Sequence, residues 1–239
     1  MSSSATAGGR SRASNDRLFY TGMGLAMAAA VFAGFGPSFF SKVFVESAPL
    51  PLIVHLHGMV FTAWMLLFVA QAWLVAQRRP DIHRKLGMAG AGLAVLMVPL
   101  GITVAVLALR TNHTPPGLDP RSFLVLPFFD LLTFVVLVGA GVYFRQQSET
   151  HKRLMLLGTI SIIDAGLARL PGVFDAGPLA IYGLQDVFLL ACLGYDWASR
   201  RRIHPAYIWG SLFILVLQPG RLVLSATPLW LAFGDWLKG

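Results

Sequence analysis

Apolar residues fill this chain in long runs separated by short polar stretches. A transmembrane helix needs roughly 20 mostly apolar residues at 1.5 Å rise per residue. Seven runs approach that length: 18–40, 52–76, 86–109, 123–144, 154–170, 179–197 and 206–226. The fifth and sixth are short, and the seventh is interrupted at Gln218-Pro219-Gly220-Arg221. Apolar runs of this length in lipid must satisfy their own backbone hydrogen bonds, which favours helices over sheets. The pattern predicts an all-α polytopic bundle of seven transmembrane helices over residues 18–226. Residues 1–17, rich in Ser, Ala, Gly and Arg, read as a disordered tail ahead of an uncleaved first helix. Residues 227–239 read as an interfacial C-terminal tail, with Trp230 and Trp236 as membrane-surface anchors.

Composition agrees with this picture. The 239 residues are 56% hydrophobic and 13% charged, against about 25% charged in a soluble domain. That excludes a soluble globular enzyme and a disordered chain. A single cysteine, Cys192, excludes a disulfide framework and a thiolate metal cluster within one chain. The net charge of +8 comes from basic clusters between apolar runs, which suits anionic lipid head groups at cytoplasmic loops rather than nucleic acid. Arg10, Arg12, Arg17, Arg78, Arg79, Arg84, Lys85, Arg145, Lys152, Arg153 and Arg200 to Arg202 fall on one side of the bundle. Lys42, Arg110, Arg121, Arg169, Arg221 and Lys238 fall on the other. The positive-inside rule then predicts a bacterial inner-membrane protein with a cytoplasmic N-terminus and a periplasmic C-terminus.

A short repeat crosses the polar loops. Asp81-Ile82-His83-Arg84-Lys85-Leu86 and Glu149-Thr150-His151-Lys152-Arg153-Leu154 share acid, any residue, His, base, base, Leu. A looser third copy is Arg200-Arg201-Arg202-Ile203-His204-Pro205. One leading helix followed by three parallel hairpins accounts for this order. The repeat places His83, His151 and His204 at one depth near the cytoplasmic surface. Three imidazoles at one level can ligate a metal or a haem. In the competing reading each His-base-base step caps a helix and holds head groups, with Asp81 and Glu149 complementing the helix dipoles.

The polar residues inside the apolar runs gather in the outer half. They are His55 and His57 in the second run, Asp130 in the fourth, Asp164 and Arg169 in the fifth, Gln185 and Asp186 in the sixth, and Gln218 and Arg221 in the seventh. Ionisable groups in transmembrane segments are costly and mark functional sites by default. Pro127 and Pro219 each remove a backbone donor beside these residues, and together the set predicts an outward-facing polar pocket. His55, His57, Asp130, Asp164 and Asp186 form a ligand inventory for zinc or iron. Residues i and i+2 point about 200° apart on a helix, so both histidines reach one ion only if the helix start is unwound. Alternatively, Asp130, Asp164 and Asp186 form an ion-pair network with Arg169 and Arg221 that holds the bundle together. No Gly-rich phosphate loop, nucleophile elbow or lysine within a span points to an ATPase, a hydrolase or a retinal protein.

The stretch His55-Leu56-His57-Gly58, Trp64, Gln71, His83-Arg84-Lys85-Leu86-Gly87 resembles a motif of uncharacterised bacterial multi-pass membrane proteins. In these a His-bearing helix is followed by His-Arg-x-Leu-Gly at the start of the next. More remotely, histidines on neighbouring helices resemble the cytochrome b561 class, which binds two b haems through paired histidines. That resemblance implies a haem b near the cytoplasmic face, held by two of His83, His151 and His204, and a redox or electron-transfer role. Only the second run offers histidines in the outer half. Three other functions fit the residues: a transporter-like carrier using the outer pocket, a membrane-embedded enzyme acting on a lipid or isoprenoid, and an accessory or assembly subunit. A membrane protein partner or a homo-oligomer is compatible with each.

Overall fold

The computed structural model describes the backbone of residues 3–44 and 50–239, with side chains over 14–42 and 50–239. Arg10, Arg12 and most of the tail expected over 1–17 lie outside the described side chains. The described residues are helical throughout, without strands. Eight helices organise them: α1 (Ser3–Phe35), α2 (Leu52–Ala76), α3 (Pro80–Arg110), α4 (Val125–Tyr143), α5 (Ser148–Ile160), α6 (Pro178–Arg200), α7 (Pro205–Ser225) and α8 (Pro228–Lys238). Among the described residues, six helices are long and apolar enough to cross a membrane: α1 to α4, α6 and α7.

The fifth expected run differs. In place of one helix over 154–170, α5 ends at Ile160, residues 161–163 leave the helix, and a single turn follows at Asp164–Leu167. At 1.5 Å per residue, α5 is about 20 Å long. Its position explains how it manages. Arg153, Leu154 and the unbroken stretch from Leu156 to Ile160 are all buried, so the helix is covered on every side. Only its second half, from Leu154 to Ile160, is apolar, and a segment apolar all round belongs in an interior. α1, α4, α6 and α7 surround it, and Leu156, Leu157, Ile160 and Ile163 fill the core against Phe134, Tyr207 and Met27.

The other elements begin and end for local reasons. Pro80, Pro178, Pro205 and Pro228 each stand in the first turn, where a missing N–H costs nothing. Pro80 extends α3 six residues ahead of the expected run. α1 passes into a π-helical turn at Gly36–Phe40, where Pro37 disrupts the regular ladder. α7 runs unbroken through Pro219, so the expected interruption there does not occur. α2 packs on α3 and α4 on α5, as the first two repeats require, whereas α6 and α7 touch more loosely.

The C-terminal segment is also more structured than a surface tail. Thr227 caps α8 through its Oγ1, which accepts from the Trp230 N–H. Trp230 is not a free anchor. Its Nε1 donates to the Arg121 carbonyl at 2.9 Å, and its ring packs among Phe128, Phe129 and Phe233. Arg121 bridges Asp119 and Asp235, which ties α8 to the α3–α4 connection. Trp236 does stand exposed.

The closest backbone approach joins α1 to the turn after α5. A Cβ on Gly34 would lie 2.0 Å from the carbonyl oxygen of Gly166. Gly34→Ala is therefore expected to lower stability by about 1–3 kcal/mol, the usual cost of overpacking. Gly22 on the same helix has nothing within 4 Å of that position, so Gly22→Ala should gain up to ~1 kcal/mol from helix propensity. Thermal unfolding of both variants in detergent checks the contrast.

Candidate functional site

Polar side chains gather in three places, two at the end of the bundle where the basic loops lie and one in the opposite half.

The first is the histidine pair. α3 and α5 open with an acid in the first turn, Asp81 and Glu149, and each carries its histidine as the fourth helical residue. The shared motif thus becomes a shared position. The rings of His83 and His151 stand in a T-shaped arrangement, with centroids 6.3 Å apart and planes at 82°. The two helices do not pack along their lengths, so the rings bridge a gap between helix ends. His151 Nδ1 lies 2.7 Å from the Gly141 carbonyl. A carbonyl only accepts, so Nδ1 carries the proton and the neutral ring keeps its lone pair on Nε2. His83 Nδ1 is buried without a partner, as is Gln71 Oε1. The Gln71 amide nitrogen donates to the His83 carbonyl at 3.2 Å.

His204 is placed differently. It is the N-cap of α7, and its Nδ1 accepts from the Ala206 N–H at 3.1 Å. The third copy of the repeat is out of register because its histidine precedes the helix. Partial burial and the nearby Arg153 guanidinium push the His204 imidazole below its usual range, against the opposing charges of Asp196 and Glu149.

The second place is an ion network beside the pair. Arg153 and Asp196 are both fully buried. Arg153 binds the carboxylate in a fork, with Nε to Oδ2 at 2.9 Å and Nη2 to Oδ1 at 2.5 Å. Its Nη1 donates to Glu149, and its guanidinium lies 5.3 Å from the Tyr207 ring. The Tyr207 and Tyr20 hydroxyls are 3.1 Å apart. Lys152 bridges Asp16 and Glu149, and Arg200 reaches both Asp16 and Asp196. Asp196 also accepts the backbone N–H of His204. Burial raises the Glu149 carboxyl, but hydrogen bonds from Lys152 and Arg153 outweigh it and leave the group below its ordinary value. Lys152, Arg153 and Arg200 thus bind carboxylates inside the protein. Arg84, Lys85, Arg145, Arg201 and Arg202 remain exposed. Asp196 carried no signal as a lone acid near the end of an apolar run; the i,i+4 pairs Glu149–Arg153 and Asp196–Arg200 were the available clue.

The third place lies in the opposite half. Arg221 Nη1 donates to both Asp130 and Asp164, the latter at 3.2 Å. Its guanidinium lies 4.9 Å from the Tyr182 ring, and its Nε is buried without a partner. One turn earlier, the Gln218 amide donates to Gln185 Oε1 at 2.9 Å and to Asp186 Oδ1 at 3.0 Å. Gln185 then donates to the Ile160 carbonyl at 2.9 Å. That bond belongs to the α5 break, because Ile160 ends the helix and its carbonyl has lost its intrahelical partner. Arg169 turns away, donating to the Ala165 carbonyl and lying over the Phe35 ring at 4.4 Å. Asp130, Asp164 and Asp186 therefore gather with Arg221, Gln185 and Gln218. His55 and His57 stand apart, near Phe39 and stacked on Phe61 respectively. Among the described residues, no three His, Cys, Asp or Glu side chains come together as a metal-ion site.

No protein-family model matches the chain, and no curated protein or solved structure matches it either.

Two outcomes follow from the network at the basic end. Asp196→Ala leaves the buried Arg153 with only the half-exposed Glu149 as a charge partner, which should cost up to about 3–5 kcal/mol. The double variant Arg153→Met, Asp196→Leu removes both charges and should cost clearly less in the same denaturant unfolding series. For His204, a folded-state value below the free imidazole's means the unfolded chain binds the proton more readily. Stability is then fully present above the ordinary imidazole range and declines as pH falls through it. His204→Asn keeps a capping side chain that does not titrate. Its unfolding midpoint should fall less than the wild type's between about pH 7 and pH 5.

Proposed function

We propose that this chain is an integral membrane protein that binds one haem b near its basic end and takes part in electron transfer, with His83 and His151 as axial ligands. The observation that carries the reading is the close approach of the two rings. Two imidazoles on opposite sides of one metal, each nitrogen about 2 Å from it, leave their ring centres roughly 6 Å apart. The pair stands at 6.3 Å. The donor set also fits. A bare metal ion in a structural site takes four ligands and in a catalytic site three from the protein, whereas a haem brings four nitrogens and asks the chain only for axial ligands.

The surrounding residues support the role. The Gly141 carbonyl holds the His151 ring by its Nδ1 proton and turns Nε2 outward as a ligand. His83 Nδ1 is buried and unpartnered, and the Gln71 amide holds the His83 backbone by donating to its carbonyl. Arg84 and Lys85, exposed at the start of α3, offer positive charge for the haem carboxylates. The haem would supply one-electron redox chemistry. The chain's contribution is to fix the two rings and to surround them with α2 to α5.

Topology completes the proposal. The chain crosses the bilayer seven times, with α5 and residues 161–170 making one broken crossing through the interior. The basic end faces the cytoplasm of a bacterial inner membrane, by the positive-inside rule. A carrier is the second reading, favoured by the buried Arg221 cluster in the opposite half.

Protein purified from haem-replete cells should show a Soret band. His83→Ala and His151→Ala should each lose it while keeping a monodisperse elution profile, and His204→Ala should retain it. A colourless wild type, or a band that survives both substitutions, overturns the reading.

A further inference from the structure

The Arg221 cluster has more acid than base. Asp130 from α4 and Asp164 from the turn after α5 both contact the same guanidinium nitrogen. Asp186 on α6 is held by the Gln218 amide, which carries no charge. Arg169, on the same segment as Asp164, gives its Nη1 to a backbone carbonyl. Tyr182 and Gln185 on α6 and Gln218 on α7 complete the polar surroundings. Two carboxyl groups therefore share one guanidinium, and with Arg169 turned to a backbone carbonyl the pair carries one negative charge in excess. Arg221 and Asp164 are nearly inaccessible to solvent, so water does not screen the excess.

We propose that Asp130 and Asp164 form a proton-binding site on Arg221, the two carboxyls sharing one proton at neutral pH. Two carboxylates that share a site repel each other, and a shared proton relieves the repulsion. With that proton bound, the guanidinium and the remaining carboxylate balance, which is what a low-dielectric interior demands. Two features point to a proton rather than a metal cation as the ligand. A fixed positive charge already occupies the space between the acids, and no third ligating side chain joins them among the described residues.

A cleft lies beside the cluster, on the far side of Tyr182. It opens between α6 and α7 with a volume of about 420 Å³, lined by Tyr182, Asp186, Gln218 and Pro219. The Tyr182 ring lines this cleft and also covers the Arg221 guanidinium. The proton exchanges through this cleft with the face opposite the basic loops. Nothing in this inference depends on a haem.

Infrared spectroscopy of the full-length protein in liposomes tests the site. The wild type at neutral pH should show a protonated-carboxyl C=O band worth one group per chain, downshifted promptly on transfer to D2O. Asp130→Asn and Asp164→Asn should each abolish it, because one acid alone forms a simple pair with Arg221. Asp186→Asn should leave it unchanged. Absence of the band in the wild type overturns the proposal without any variant having to fold. A band that persists in both Asn variants, or disappears in only one, overturns the sharing. A band that fails to shift over hours in D2O overturns the route through the cleft.

Discussion

Every charged group drawn into this bundle must meet a partner there, because lipid offers neither water nor counterions. The interior is arranged around that constraint. The clearest case is Arg153, fully buried on the central helix α5 and gripped in a fork by Asp196 from α6. That bond joins the core helix to the surrounding ring. Through Glu149, Lys152, Asp16 and Arg200 it extends to α1. Breaking it would strand a guanidinium in the interior, so its geometry dictates how α1, α5 and α6 meet. The same constraint governs the α5 break. The carbonyl released at Ile160 is taken up by Gln185, and Gln185 is in turn held by Gln218. An irregular backbone survives at that depth because protein side chains replace the lost helical bond.

Two separate sites emerge from the same economy of polar groups. At the basic end, His83 and His151 extend across the gap between two helix starts, and the proposed haem would sit between elements already fixed by the Arg153 network. In the opposite half, Arg221 draws acids from α4 and the segment after α5 to a cleft between α6 and α7. The two lie at different depths, and α4 serves both, through Gly141 at one and Asp130 at the other. α5 and the turn after it are the shared element, carrying His151 at one end and Asp164 at the other.

Much of the architecture was legible in the apolar runs. The second run, 52–76, coincides with α2, and the fourth and seventh come within two residues of α4 and α7. Length and hydropathy are properties of the segment itself, and the membrane imposes them directly. The break in α5 was not legible. Ser161-Ile162-Ile163 contains neither glycine nor proline, and the bond that stabilises it comes from a glutamine 25 positions away. The outer acids were readable as a group because cost alone turns them inward. Their partner was narrowed to Arg169 or Arg221, and Arg221 takes that place. The buried Asp196 was missed because its importance lies in Arg153, which looked like a loop base. The histidine repeat was readable for its first two copies, where helix starts coincide. It failed for His204, which stands just before the helix start at Pro205 instead of in its first turn.

The most direct measurement of the central claim is the electron paramagnetic resonance spectrum of the oxidised, purified protein. Two histidine ligands make ferric haem low-spin, and ring planes near the observed 82° should give a strongly anisotropic signal. That spectrum is the expected result. A high-spin ferric signal, or no haem signal from protein made in haem-replete cells, contradicts axial ligation by His83 and His151.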